Sequence, residues 1–256
     1  MQLEVRRAWR SGFTGQLNYT WGRATTDFSG SQSNFRAYYD NAQPELEIAR
    51  SDSDITHTIN ANWVWELPVG EGRRWLDNRS LLSSIIGGWG LSGFVRIHSG
   101  EVINIVSQRG TINRGSRALI NTVHLEGVEV GDLQNRTGVY RHPDGRVTLF
   151  EDSLLASGGG GNLDIFRNPG MLEAGTLPLS PISGPWYATV DLGLRKNVAL
   201  PLSTGARMQI RVDAFNVFNR VNFNIGRYHN PNSREFGLIS SAFAARQIQV
   251  GTRITF

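Results

Sequence analysis

The side chains that could carry out chemistry are spread along the 256-residue chain without the spacing of a catalytic or metal site. Its five histidines include no pair at the spacing of zinc ligands. Two carboxylate pairs, Asp191 with Asp213 and Asp152 with Asp164, have the residue type for general acid–base catalysis, but nothing in their spacing favours it over ion pairing. The absence of cysteine excludes a thiol nucleophile, a thiolate metal site and disulfides. We therefore expect no enzyme activity, no metal and no cofactor.

Many of the charged residues do show a regular pattern. They alternate with apolar residues in segments that have the two-residue period of β-strands. One set of alternate positions is polar, and its members with most weight are Arg96, Asp191, Arg195, Arg211, Asp213 and Arg253. The intervening positions are apolar and include Leu17, Trp63, Leu91, Val190, Leu192, Ile210, Val212, Ile248 and Val250. Each strand is thus expected to have one polar face and one apolar face.

The pattern predicts an all-β chain, an antiparallel meander of about seven strands. The segments are 2–10, 13–24, 54–67, 88–99, 186–199, 206–218 and 245–256. Their connections alternate in length, since the turns at 10–12 and 200–205 are short whereas those at 25–51 and 100–185 are long and polar. Short turns at one end and long loops at the other are typical of outer-membrane barrels. The exception is the longer connection at 68–87, where residues 81–86 are expected to form a short helix.

Composition and charge placement favour a barrel wall over a packed core. The apolar content is 39%, below the roughly 45–50% of soluble domains, and a barrel needs apolar residues on its outer face only. Few titratable residues occupy the apolar positions, and those few (Arg7, His57, Lys196 and Arg246) lie near strand ends. We expect the apolar set to contact outer-membrane lipid and the polar set to face the lumen. The net charge of +4 is dispersed, so nucleic acid is not an expected partner.

Two other architectures would produce the same alternation. A soluble or surface-attached β-sandwich would bury the apolar face in its core and act as a binding module, for example for glycans through Trp and Tyr. A small self-sufficient barrel could act as an adhesin or pore, but it would need an eighth strand to close.

Several sequence blocks resemble the late barrel of TonB-dependent outer-membrane receptors of the Oar-like type. The blocks are Glu66-Leu67-Pro68-Val69-Gly70-Glu71-Gly72-Arg73-Arg74, Gly87-Gly88-Trp89-Gly90-Leu91-Ser92-Gly93, Asp191-Leu192-Gly193-Leu194-Arg195-Lys196-Asn197, Asp213-Ala214-Phe215-Asn216-Val217-Phe218-Asn219 and the strand that ends at Phe256. They follow the order of the family and extend over nearly the whole chain.

The resemblance implies an energised transporter of a bulky, unidentified solute in the bacterial outer membrane. It implies a 22-stranded barrel around a plug, contact with the TonB complex, and recognition of the Phe256 strand by the barrel assembly machinery. No plug domain is recognisable in this sequence. We therefore expect residues 1–256 to be a partial barrel, an open C-terminal segment that pairs with the remaining strands and plug, with residues 100–185 inserted as a long extracellular loop.

Overall fold

The computed structural model describes residues 1–27, 45, 48–70, 73–77, 81–107, 109, 121–200 and 205–256. Most of the connection at 25–51 and the centre of the turn at 200–205, both assigned from the sequence, lie outside these residues. Among the described residues, no helix has the length and apolar character needed to cross a membrane.

Strands dominate the described part of the chain, in which there are also two short helices. The strands are β1 (Gln2–Arg10), β2 (Phe13–Trp21), β3 (Thr25–Thr26), β4 (Ala49–Arg50), β5 (His57–Glu66), β6 (Trp89–His98), β7 (Val102–Ile105), β8 (His124–Leu125), β9 (Thr137–Arg141), β10 (Val147–Phe150), β11 (Phe166–Arg167), β12 (Ile182–Ser183), β13 (Tyr187–Ala199), β14 (Arg207–Phe215), β15 (Phe223–Asn224), β16 (Tyr228–His229), β17 (Ser241–Ala242) and β18 (Gln247–Thr255). The helices are α1 (Leu81–Ile86) and α2 (Val130–Asn135), and a 3₁₀ turn covers Asp152–Leu154.

The seven long strands form one antiparallel sheet in the order β1-β2-β5-β6-β13-β14-β18. Each long strand pairs with the long strands that precede and follow it in the sequence, so the sheet is a meander. The predicted all-β fold with seven antiparallel strands is confirmed. The sheet does not close within the described residues, because β1 and β18 lie at its two edges and do not pair with each other.

The strand register carries the alternation across the whole sheet. Residues paired directly in antiparallel strands project to the same face. One row passes through Phe13, Trp65, Leu91, Leu194, Val212 and Val250, and the next through Arg7, Gly15, Trp63, Gly93, Leu192, Ala214 and Ile248. The two rows make one continuous apolar face, which is the geometry that the sequence pattern requires.

No second sheet covers this apolar face in the described residues. Val250 is 68% exposed, Ile248 65% and Ile210 37%, although all three are aliphatic. In a β-sandwich such residues would be packed against the opposite sheet. The β-sandwich alternative is therefore not supported, and the sheet gains its stability from something other than an internal core.

The buried core lies instead in the connections at one end of the sheet, which we call the cap. The cap consists of the described residues of 22–56, 99–186 and 216–246. Its fully buried side chains come from short strands and turns and include Ile103, Ile105, Val123, Leu133, Leu149, Phe150, Leu154, Phe166, Ile182 and Phe236. The connection at 100–185, predicted as a long loop, is thus largely a folded layer with its own core.

The elements of the cap are joined by hydrogen bonds between connections. β7 pairs antiparallel with β12 and parallel with β16, which links residues 99–186 to residues 216–246. The β9–β10 hairpin turns at Pro143-Asp144-Gly145, residue types that favour tight turns. The Arg50 guanidinium donates to the Ser183 hydroxyl over 2.8 Å, so the first long connection is joined to the second.

The other end of the sheet, the turn end, has the short turns after β1 and β13 and the longer connection between β5 and β6, which contains helix α1. Gly70 and Gly87 approach so closely that a Cβ on Gly70 would lie 2.7 Å from the Gly87 Cα. Gly70 also has a φ of 111°, which favours glycine over any other residue. This contact folds the connection between β5 and β6 back against the sheet and positions α1 as the sequence predicts.

Candidate functional site

The polar face of the sheet holds all six charged residues that the sequence places there. Arg195 of β13 lies opposite Arg211 of β14, and Asp213 of β14 lies opposite Gln249 of β18. Arg96, Asp191 and Arg253 occupy the same face in β6, β13 and β18, as the pairing of these strands requires. The nine apolar candidates occupy the opposite face, so the register separates the two sets.

Ion pairs and hydrogen bonds connect the polar face locally. Arg195 contacts Glu66 over 3.0 Å, and the second oxygen of Glu66 accepts from Arg73 over 2.8 Å. Arg211 and Asp213 are joined over 2.7 Å within one strand. Because these groups are partly solvated, their pairing contributes little stability and mainly keeps the face polar.

Three of the four carboxylates considered from the sequence, Asp191, Asp213 and Asp152, have partners of their own. Asp191 accepts from the backbone N–H of Asn216 over 2.8 Å, whereas Asp213 is paired with Arg211. Asp152 lies 3.5 Å from the His142 ring. In the described part of the chain, no group of three or more His, Asp or Glu residues is placed to hold a metal ion.

The apolar face ends in aromatic side chains at both ends of the strands. Towards the cap, the His57 ring stacks between Tyr19 and Trp186, with ring centroids 6.1 and 5.7 Å away, and the Tyr19 hydroxyl lies 2.9 Å from His57 Nδ1. Towards the turn end lie Trp65 and Trp89, both on this face. Eight residues separate His57 from Trp65, about 26 Å along a strand that rises about 3.3 Å per residue.

The distance between the two aromatic ends of the apolar face fits the thickness of a membrane. A strand tilted by about 40° converts it to a height of about 20 Å, close to the roughly 25 Å apolar band of outer-membrane barrels. Aromatic residues favour the two boundaries of such a band because their rings are apolar and their N–H or O–H groups are polar. The surface between the two boundaries includes Trp63, whose indole lies over Gly93, so close that a Cβ there would be 2.1 Å from Cζ2.

A cavity of about 580 Å³ lies where the polar face meets the cap. The ends of β6 and β13 supply Arg96 and Tyr187, the β9–β10 hairpin supplies Arg141, and the connection after β14 supplies Arg220 and Phe223. The volume falls within the roughly 300–1,000 Å³ of small-molecule sites.

The walls of the cavity are fixed to the end of the sheet. The Asn222 side chain accepts from the backbone N–H of Ala188 and donates to its C=O, both over 2.9 Å. The backbone at Gly100 lies against Gly184, so that a Cβ on Gly100 would be 1.8 Å from the Gly184 carbonyl oxygen. The first contact holds the connection after β14 against β13, and the second holds the two ends of the connection between β6 and β13 against each other.

Of the six charged residues selected from the sequence, Arg96 alone lines this cavity. Arg141, Arg220 and Phe223 were missed, because they lie in separate connections that have no strand periodicity. His98 also lines the cavity, and the centroid of its ring lies 4.8 Å from that of Tyr187, on which it stacks.

Outside the sheet, several groups in the cap have shifted pKa values, among them Asp54 and His229. Burial alone would raise the pKa of Asp54, but a hydrogen bond from the Ala24 backbone N–H and the charge of Arg50, 2.7 Å away, outweigh it and hold the pKa below its ordinary value. Burial lowers the pKa of His229, and the hydrogen bond to the Gly226 carbonyl opposes this shift only in part. Both groups belong to the packing of the cap.

Comparison with known proteins agrees with this geometry. A family model described as an outer membrane beta barrel domain matches residues 1–249. No curated protein and no solved structure has significant similarity to the chain. The match extends over nearly the whole chain and includes six of the seven long strands together with the cap, so the chain belongs to the outer membrane beta barrel domain family and is a protein of the bacterial outer membrane.

Proposed function

We propose that the chain is the C-terminal part of the barrel of a TonB-dependent receptor of the Oar-like type, which takes up a bulky solute across the outer membrane. The observation that carries this proposal is a sheet with one exposed apolar face, two edges that are unpaired within the described residues, and a folded cap at one end. The blocks that resemble the Oar-like receptors lie in β5, β6, β13, β14 and the connection before β6. We propose a role in transport rather than catalysis.

The open edges support a larger barrel. β1 and β18 have no outer partner in the described residues, and every residue of both strands is exposed. Unpaired backbone N–H and C=O groups cannot remain in the hydrocarbon region, because each costs several kcal/mol there. We propose that further strands pair with both edges and that a plug fills the lumen against the polar face.

The position of the cap indicates which end of the strands faces the outside of the cell. Long connections in outer-membrane barrels project outside the cell, so we place the cap there and the turn end in the periplasm. The cavity then opens at the outer mouth of the lumen, where a solute arrives before it meets the plug. In the same orientation the β18 strand and Phe256 are available to the barrel assembly machinery, and the TonB complex acts through the plug.

Genetics can test the proposal before the solute is known. The complete gene and the tonB gene are deleted separately and together, and growth is compared on panels of single nutrients. The proposal expects a nutrient on which both single deletions grow poorly and the double deletion grows no worse. Loss of growth that depends on the receptor gene but is unaffected by tonB would contradict it.

A further inference from the structure

We infer that the cavity beneath the cap binds a soluble anion, a molecule with two or more carboxylate or phosphate groups on an apolar or flat body. The inference rests on the proposed function, because a receptor must bind its solute. It deepens that function by naming the chemical class of the solute. It is carried by the arrangement of charge and apolar surface in the cavity.

The lining of the cavity is strongly cationic. Arg96, Arg141 and Arg220 each belong to a different connection or strand, and all three are exposed. None has an ion-pair partner within the part of the chain that the structure describes. Three guanidinium groups at one cavity repel each other, and a bound anion relieves that repulsion.

The acidic side chain at the rim does not neutralise them. Glu101 lines the cavity but lies 3.4 Å from Arg227, a cation that is not part of the lining. The charge on the lining therefore remains positive. Guanidinium groups bind carboxylate and phosphate through two parallel hydrogen bonds, which gives such a site selectivity for these anions.

Apolar and aromatic groups lie between the arginines. The guanidinium carbon of Arg141 lies 5.7 Å from the centroid of the Phe223 ring, and that of Arg96 lies 5.4 Å from the centroid of the Phe94 ring. Stacking on a ring fixes the plane of a guanidinium and leaves its N–H edge available. Phe223 and Phe243 provide the surface for the apolar body of the ligand.

The position favours a soluble solute over a lipid headgroup. Arg96 lies on the polar face of the sheet, opposite the face that carries Leu91, Val95 and Ile97. A lipid phosphate at the outer surface of the wall is separated from it by the sheet. The cavity is instead open to the lumen and to the space between the connections.

The test uses the complete gene product purified from outer membranes in detergent micelles. Benzene-1,3,5-tricarboxylate serves as the anionic probe and benzene-1,3,5-trimethanol as its uncharged analogue, with binding measured by titration calorimetry. We expect the tricarboxylate to bind, with an affinity that falls as salt is raised, and the triol not to bind. Binding of neither probe, or equal binding of both, overturns the inference.

Variants place the binding in this cavity. The double variant Arg141→Gln and Arg220→Gln should weaken tricarboxylate binding by at least about tenfold, because each removes a charge-assisted hydrogen bond. Arg96→Gln, in a long strand, should weaken binding without any change to the cap. Arg146→Gln is the matched control, since Arg146 lies in the same hairpin as Arg141, pairs with Asp144 and does not line the cavity.

Unchanged affinity in both cavity variants, or an equal loss in the control, contradicts the inference. The measurement requires no TonB, so failure here leaves the growth test of the proposed function intact, and failure of the growth test leaves this binding intact.

Discussion

Lys196 illustrates how a single charged residue is accommodated on the apolar face of the sheet. Its ammonium group donates to the carbonyl oxygens of Ile85, at 2.9 Å, and of Gly87, and lies 5.3 Å over the Trp89 ring. The side chain is only 8% exposed although it shares a face with Leu194. A charge at this position is acceptable because it lies at the turn end, where a carbonyl of the last turn of α1 and the Gly87 carbonyl just after the helix replace water.

The cost of a charge should therefore depend on its face and its depth. Val250 lies in the middle of β18 on the apolar face, and its neighbour Gln249 lies on the polar face opposite Asp213. We predict that Val250→Arg blocks assembly, since a lipid-facing arginine at mid-depth costs about 2–4 kcal/mol, whereas Gln249→Arg is tolerated. The measurement is the amount of heat-modifiable, folded protein in outer membranes. Equal amounts for the two variants would count against the assignment of the faces.

His229 should make the cap sensitive to mild acid. Its ring is buried against Phe150 and Phe236, and Nε2 donates to the Gly226 carbonyl over 2.7 Å. Burial lowers its pKa below the ordinary value of 6.5, so below that pH the unfolded cap binds a proton that the folded cap does not. The stability of the cap should thus fall as the pH drops from 6.5 towards the lowered pKa.

Hydrogen exchange can measure this effect. The backbone N–H groups of Asn104 and Val106 donate to Arg227 and His229 and report opening of this part of the cap. We expect their protection to decline between pH 6.5 and 5 in the native protein and to remain level in His229→Gln, which stays neutral. The carboxylate shifts of Asp54 and Glu173 act only at lower pH, because their ordinary values are 3.8 and 4.5. The same decline in the variant would exclude His229 as its source.

At the scale of elements, the cap depends on a close contact at its base. A Cβ on Gly100 would lie 1.8 Å from the Gly184 carbonyl oxygen, a distance that forces the two segments apart. We predict that Gly100→Ala destabilises the cap by about 1–3 kcal/mol and disturbs the cavity, since both segments line it. The loss is measured as faster hydrogen exchange in β7 and β12.

A glycine in open space provides the control. Gly131 lies in α2, and a Cβ there would meet nothing within 4 Å. Gly131→Ala should leave the cap unchanged or stabilise it by up to about 1 kcal/mol, because alanine has the higher helix propensity. Similar effects of the two substitutions would show that the approach of residues 100 and 184 does not support the cap.

The long strands could be predicted from the sequence, and the cap could not. All seven segments coincide with strands of the structure, and their ends differ by no more than three residues. They could be predicted because a strand with one apolar and one polar face has apolar residues at every second position. In the cap the strands are two to five residues long, too short for a period to be detected. Its core is formed by side chains from different connections, such as Ile103 and Phe236. The sequence pattern does not show which connections pack against each other, so this core could not be predicted.

The same difference explains what was missed at the cavity. Arg96 belongs to a long strand and was selected by its alternation, whereas Arg141 and Arg220 belong to the cap and had no pattern that set them apart. Their role depends on the meeting of a hairpin with the connection after β14. The orientation of the two faces, lumen and lipid, stays a prediction that concerns the whole molecule.

For the whole molecule, the essential property is a sheet with one face in water and the other in lipid. Residues 1–256 contain no cysteine, so single introduced cysteines can measure this property once any cysteine elsewhere in the complete gene product is replaced by serine. Single cysteines are introduced into the complete gene product at neighbouring positions, Thr189 and Val190 in β13 and Arg211 and Val212 in β14. We expect a hydrophilic, membrane-impermeant maleimide to label Thr189→Cys and Arg211→Cys much faster than Val190→Cys and Val212→Cys, because acyl chains exclude the reagent and also keep the thiol protonated. A maleimide that dissolves in lipid should reduce the difference. The reverse order of labelling, with the apolar positions reacting first, would mean that the apolar face lines the interior, and the membrane orientation of all seven strands would then be wrong.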